Sequence, residues 1–221
     1  MMQQRKSKKI LIYFFLFLII GTLNNKNLSN LNFPNLKNII VSGLDEKDNL
    51  ELVNKLNFLK VDNLFFLNKS KINKIINSNN FIEKFSIYKI YPSSIEIEIV
   101  KTKLLIKTEN DYYLGSNGKF MKINEQINNI PIIFGNFDVS EFFFLKDIIE
   151  KSNLKFENIH KLYFLPSKRW DIETKNGILI KLPKERLIES FKLLDVLFLK
   201  KNNKNFKTID LRQNKQIVIN E

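Results

Sequence analysis

The chain has 221 residues, room for one or two compact units at ~150 residues each, and its 36 Lys plus Arg against 23 Asp plus Glu give a net charge of +13. With no Cys and a single His, His160, thiol catalysis, disulfides, iron–sulfur ligation and multi-histidine metal sites are excluded. Hydrophobic residues make up 44% of the sequence, which suits a buried core and not disorder, and Lys is abundant together with Asn and Ile, a bias of the whole composition.

The N-terminal segment contains Arg5, Lys6, Lys8 and Lys9, and Ile10–Leu23 follows with 14 uncharged residues. As a helix this stretch measures about 21 Å at ~1.5 Å per residue, against ~30 Å for a hydrocarbon core. Three readings compete. An uncleaved anchor can be short if Lys8 and Lys9 snorkel and the bilayer thins. A cleaved signal peptide needs small residues at its end, and Gly21-Thr22-Leu23 is a poor imitation. The third reading is a core helix of the folded protein. The expectation carried forward is a cytoplasmic tail over 1–9 and a transmembrane anchor over 10–23, with the bulk outside the cytoplasm, because the basic residues precede the apolar run.

Residues 24–36 are Asn-rich and read as a linker. LKNIIVSG, ending at Gly43, reads as a strand, and Leu50, Val53 and Leu56 mark a helix behind Asp45. A second helix, capped by Asn68 or Ser70, carries Ile72, Ile75 and Ile76. Phe85, Ile87 and Ile90 then lead through Pro92 into Ile95, Ile97 and Ile99, which alternate with Glu96 and Glu98 as in a hairpin. The order is β-α-α-β-β. Beyond it, Leu104–Thr108, Tyr112–Leu114, Lys119–Ile123 and Ile132–Phe134 read as short strands, with a helix from Asp138 or Ser140 to about Lys151. Leu162–Phe164, Trp170–Thr174 and Ile178–Leu182 form a meander with a turn at Asn176-Gly177. Lys184–Leu199 is an amphipathic helix, and Phe206–Leu211 and Gln216–Ile219 close the chain as strands. The class is α+β, the second part a mainly antiparallel sheet carrying two helices.

Convergent catalytic groups are not apparent. His160 has no Cys partner, no G-x-S-x-G elbow occurs, and Glu96/Glu98 and Asp171/Glu173 read as solvated strand faces. The Ser116-Asn117-Gly118 turn is not a phosphate loop. Outside the N-terminus only Arg169, Arg186 and Arg212 offer guanidinium groups, and the Lys200, Lys201, Lys204 and Lys207 cluster lacks interleaved aromatics, so nucleic-acid binding is not expected.

Several segments resemble the bacterial FtsQ/DivIB cell-division family, in its alphaproteobacterial form. They are IIVSG at Ile39–Gly43, NLFFL at Asn63–Leu67, the Phe81–Ile99 hairpin, Ser116-Asn117-Gly118, IPIIFG at Ile130–Gly135, RWDIETKNGILIKLP at Arg169–Pro183, and IDLR at Ile209–Arg212. Two positions depart from the family pattern: Lys101–Leu105 replaces an Arg-x-Pro-x-Ala motif, and Phe81 stands where a Trp is common. The resemblance implies a POTRA-like domain over 37–103 and an FtsQ-type β domain over 104–221. It further implies a non-enzymatic bitopic scaffold of the septal division machinery, at the inner membrane, without cofactor, metal or small-molecule substrate. Implied partners are FtsB-like and FtsL-like bitopic proteins and the septal peptidoglycan synthase complex. The implied partner-binding residues are Phe191 and Leu194 on the last helix, with Leu211, Arg212, Gln216, Ile217, Val218 and Ile219 at the C-terminus. The residues alone leave open a different module, extracytoplasmic, released by a cleaved signal and unconnected with division. A C-terminal strand with an uncovered edge is compatible with the first reading, because such edges recruit partner strands.

Overall fold

The structure, a computed structural model, describes residues 4–23, 34–65, 67–125, 127–200, 206–214 and 216–220. Gln4–Leu23 is one helix, α1. Among the described residues no helix is long and apolar enough to cross a membrane. That finding corrects the expected anchor over 10–23, and with it the bitopic character and the single-pass inner-membrane placement of the chain. The reason is length: Lys8 and Lys9 belong to the same helix, and the uncharged remainder reaches about 21 Å where ~30 Å is needed. Residues 1–3 of the expected tail, most of the expected linker and residues 201–205 lie outside the described residues.

The chain divides into two compact units, Met1–Ile72 with Ser86–Glu98 and Asn73–Phe85 with Ile99–Glu221. Strand β1 (Asn38–Ser42) is followed by α2 (Glu46–Leu56), a 3-10 turn and α3 (Lys69–Asn77), then β2 (Ile82–Ile90) and β3 (Ser94–Lys101). This is the β-α-α-β-β order that the sequence suggests. The three strands form a sheet of order β1-β3-β2, with β1 parallel to β3 and Ile39 opposite Ile95. Strand period explains the pairing: Ile95, Ile97 and Ile99 are buried while Glu96 and Glu98 point the other way. Glu46 and Asp48 in the first turn of α2 and Lys55 in its last complement the helix dipole. Asn68 caps α3, its Oδ1 accepting from the Lys71 N–H at 3.2 Å.

The larger sheet contains β4 (Leu104–Thr108), β5 (Tyr112–Gly115), β6 (Phe120–Lys122), β7 (Ile132–Phe134), β8 (Ile159–Phe164), β9 (Trp170–Thr174), β10 (Leu179–Lys181), β11 (Thr208–Asp210) and β12 (Val218–Asn220). Its order is β12-β11-β10-β9-β8-β7-β4-β5-β6. Five of these pairings are antiparallel, and three, β4–β7, β7–β8 and β10–β11, are parallel. Parallel neighbours need a long crossover, usually a helix. Helix α4 (Val139–Glu150) lies between β7 and β8 in the chain, and α5 (Leu187–Lys200) between β10 and β11. Both helices are therefore crossovers. One cross-strand row, Ile133–Leu162–Ile172–Ile180–Ile209–Ile219, runs over six strands. With Phe142, Leu145 and Ile149 of α4 and Phe191 and Leu194 of α5 it makes up the core.

Several element boundaries differ from the sequence reading, and two of them bear on the site. Helix α5 begins at Leu187 and not at Lys184, because Arg186 adopts φ 62°, a left-handed conformation that a helix cannot contain. The terminal strand starts at Val218, leaving Gln216 and Ile217 outside it.

Candidate functional site

Strand β12 is, among the described residues, one of the two edge strands of the nine-stranded sheet, with β6 the other. It pairs antiparallel with β11, Asn220 opposite Thr208, Ile219 opposite Ile209 and Val218 opposite Asp210, and the Lys207 N–H donates to the Asn220 carbonyl at 2.9 Å. Ile217 and Ile219 are half-buried and pack against the core, whereas Val218 is 54% exposed and Gln216 is exposed. One side of the strand is thus seated and the other faces outward, as period two requires.

The remaining predicted residues fall in different places. Phe191 and Leu194 are 2% and 0% exposed, so they hold α5 on the sheet and offer little surface. Leu211 is buried too. Arg212 is exposed, but Asp210 occupies its guanidinium: Nε donates to both carboxylate oxygens at 2.8 and 2.9 Å, and Nη2 contacts the same carboxylate. The Arg212 side chain holds the Asp210 carboxyl below the usual range, and Asp210 raises Arg212 in return.

Sequence reasoning overlooked Ile188 and Leu199, which together with Val196 are exposed on α5. The available signal was registry, since Ile188 and Leu199 fall off the i, i+3, i+4 stripe of Leu187, Phe191 and Leu194. Between α5 and the segment that follows β11 a groove of about 250 Å³ is bounded by Glu189, Ser190, Leu193 and Val196 of α5 with Leu211 and Gln213. Edge strand and half-apolar groove lie on neighbouring segments of the chain. Such an arrangement can take an extended peptide through backbone pairing and seat an apolar side chain next to it.

The face of the sheet opposite the core row carries a charge ladder. Tyr163, Asp171, Lys181, Asp210 and Val218 occupy one cross-strand row. Burial pushes the Asp171 carboxyl up, against the opposing charges of Arg169 and Lys181. Arg169 Nε stands 3.6 Å from Asp171 Oδ1, and both atoms are buried without a hydrogen bond. Tyr163 donates to Glu173 at 2.8 Å; this bond lowers Glu173, and burial followed by the bond pushes Tyr163 up to about 12. These charges answer one another and leave no activated nucleophile. Among the described residues no group of three or more His, Asp or Glu is placed to hold a metal ion.

Comparison with known proteins supplies a family. Residues 104–212 match the model of "Cell division protein FtsQ/DivIB, C-terminal". Curated relatives include the cell division protein FtsQ of Rickettsia bellii (strain RML369-C), 26% identical over 198 residues, covering 83% of this chain and 71% of the relative. FtsQ of Rickettsia felis (strain ATCC VR-1525 / URRWXCal2) is 24% identical over 198 residues with the same coverage. FtsQ of Rickettsia typhi (strain ATCC VR-144 / Wilmington) is 22% identical over 199 residues.

Proposed function

The chain belongs to the FtsQ/DivIB family of cell-division proteins, and from that premise we propose that it works as a scaffold that captures a partner strand on the edge of β12. As a member of this family it is not an enzyme, and its interactions are those of the division machinery. The proposed partners are FtsB-like and FtsL-like proteins, with the septal peptidoglycan synthase complex as the assembly served. The proposed domains are a POTRA-like unit over 37–103 and an FtsQ-type β domain over 104–221.

One observation carries the reading: among the described residues β12 is an edge strand of the nine-stranded sheet, paired on one side only. An unpaired edge of backbone N–H and C=O groups is an aggregation hazard unless it is used or protected. In this scheme Val218 and Gln216 meet the partner directly. Ile217 and Ile219 seat the strand, Phe191 and Leu194 fix the helix beside it, and Leu211 floors the groove. Arg212 holds the β11–β12 connection through Asp210.

The test uses the full chain and the FtsB-like partner in a binding titration. Ile219→Pro deletes the outward-facing N–H of the edge, since Val218 and Asn220 turn theirs to β11, and should abolish most binding while circular dichroism stays unchanged. Val218→Ala keeps the backbone groups and should cost less than about 1 kcal/mol of binding, since truncating a half-exposed side chain removes little buried area. Wild-type affinity in a folded Ile219→Pro chain would move the interface elsewhere.

A further inference from the structure

A second concavity lies where the short strand β7 begins. Strand β7 has three residues between the five of β4 and the six of β8, so the sheet is notched there. The notch measures about 530 Å³, within the ~300–1,000 Å³ typical of small-molecule sites. Its apolar lining is Ile127, Ile130, Ile132 and Ile159. The lining also includes Lys107, His160 and Lys175.

Each basic group is placed by an identifiable feature. His160 sits at a register shift between β8 and β9, where Ile159 faces Thr174 and Lys161 faces Glu173. A bulge of this kind re-aims the side chain it carries. Lys175 is fixed at the end of β9, its N–H donating to the Asn158 carbonyl at 2.7 Å, and its ammonium has no carboxylate partner among the described residues. Lys107 is ion-paired to Asp111 at 2.7 Å. Glu173, one residue along β9 from Thr174, is engaged by Tyr163 and Lys161. Lys175 therefore remains for an incoming anion, with the His160 ring, which also lies within the field of Glu173, beside it. The Tyr113 hydroxyl, also in the wall, makes only long hydrogen bonds, to the Glu125 carbonyl at 3.5 Å and from the Ile127 N–H at 3.4 Å.

We propose that this notch binds an aliphatic oxyanion, a carboxylate or phosphate attached to a short apolar chain. The chain lies on the isoleucine floor and the anionic head meets Lys175 and His160. The proposal is independent of the β12 edge, because it uses none of the same residues.

Calorimetric titration of the full chain with octanoate, octyl phosphate, 1-octanol and inorganic phosphate tests it. Octanoate or octyl phosphate should bind at least about tenfold more tightly than both 1-octanol and inorganic phosphate, the scale expected from one charge-assisted hydrogen bond. The stronger of the two identifies the head group. The exposed pair Lys175→Ala and His160→Ala, made together, should lose that tenfold, while Lys181→Ala should not. Equal binding of octanol, equal binding of free phosphate, or an unaffected double variant would overturn the proposal.

Discussion

Asn117 is the residue whose replacement should reveal most about how the larger unit is held. Its Nδ2 donates to two carbonyls, Asn80 at 2.8 Å and Ile82 at 2.9 Å, and its Oδ1 accepts from the Lys119 N–H at 3.0 Å. Around it the Ser116 hydroxyl donates to Glu83 Oε2 at 2.6 Å, the Thr102 hydroxyl donates to the same oxygen at 3.0 Å, and the Thr102 N–H donates to the Phe81 carbonyl at 2.8 Å. A turn, a strand end and the segment 80–83 are thereby tied together. In Asn117→Ala three hydrogen bonds disappear, each worth a net ~0.5–1.5 kcal/mol. The carbonyl of buried Ile82 also loses a donor, at a cost of ~1–3 kcal/mol if water cannot replace it. Because the Asn80 and Lys119 groups are better solvated, the expected total is about 2–4 kcal/mol.

The assay is urea unfolding followed by the fluorescence of Trp170, the single Trp of the chain, buried in this same unit. With a slope of ~2 kcal/mol per molar urea, the midpoint should fall by roughly 1–2 M. Asn117→Asp is the sharper control. It keeps the shape and the acceptor, removes both donors, and sets a carboxylate against two carbonyl oxygens, so it should be at least as damaging as Ala. An Asp variant within about 0.5 kcal/mol of wild type, the scatter of ordinary surface changes, would refute the reasoning.

Other substitutions test other layers. Gly135→Ala should destabilise by more than about 3 kcal/mol in the same assay, because φ is 95° and an added Cβ would lie 2.0 Å from the Phe164 carbonyl oxygen. Leu194→Ala should cost about 2–5 kcal/mol, as expected of a fully buried leucine. Asp210 and Glu173 are held below the carboxylate range, so each contributes stability that is present above the unfolded-state pKa of ~4 and lost as pH falls through the folded value. Asp171 is raised and acts with the opposite sign, its ionisation costing stability as pH rises. Asp210→Asn should therefore flatten the acid limb of a stability-against-pH curve measured by urea unfolding at each pH.

Legibility from sequence followed the range of the interaction. Ile95, Ile97 and Ile99 announce a half-buried strand by themselves, and Pro92 places its hairpin. Leu104–Thr108, Ile132–Phe134 and Trp170–Thr174 match the expected strands to the residue. Pairing partners were less legible, because period two tells which face is buried and not which strand lies alongside. Hence the parallel pairings of the larger sheet went unread, although for β7–β8 and β10–β11 a helix between two short strands is what a crossover looks like. Ser116-Asn117-Gly118 was visible only as a turn, since the carbonyls it holds are 35 and 37 residues away. At the N-terminus the apolar composition of Ile10–Leu23 outweighed its length, and length is what fails. At the candidate site, apolar residues on α5 signalled burial correctly for Phe191 and Leu194, but composition could not separate them from exposed Ile188 and Leu199.

The size of β12 constrains how the proposed interface must work. Of the three residues of β12 only Ile219 turns its N–H and C=O outward, so the edge offers about two backbone hydrogen bonds to a partner, or ~1–3 kcal/mol net. Association alone costs ~4–15 kcal/mol of translational and rotational freedom, so the edge cannot hold a partner by itself. The deficit has to come from apolar burial, and the groove by Leu193, Val196 and Leu211 is the nearest source. Filling it with one aliphatic side chain is worth ~1.5–3 kcal/mol, and covering exposed Val218, Ile188 and Leu199 adds to that. Backbone pairing would then set direction and register, and the α5 groove would set affinity. Val196→Asp, at an exposed helix position that folding tolerates, should therefore weaken partner binding more than Val218→Ala does. If the order of the two were reversed, the groove would have no part in the interface and the edge would have to be longer than β12.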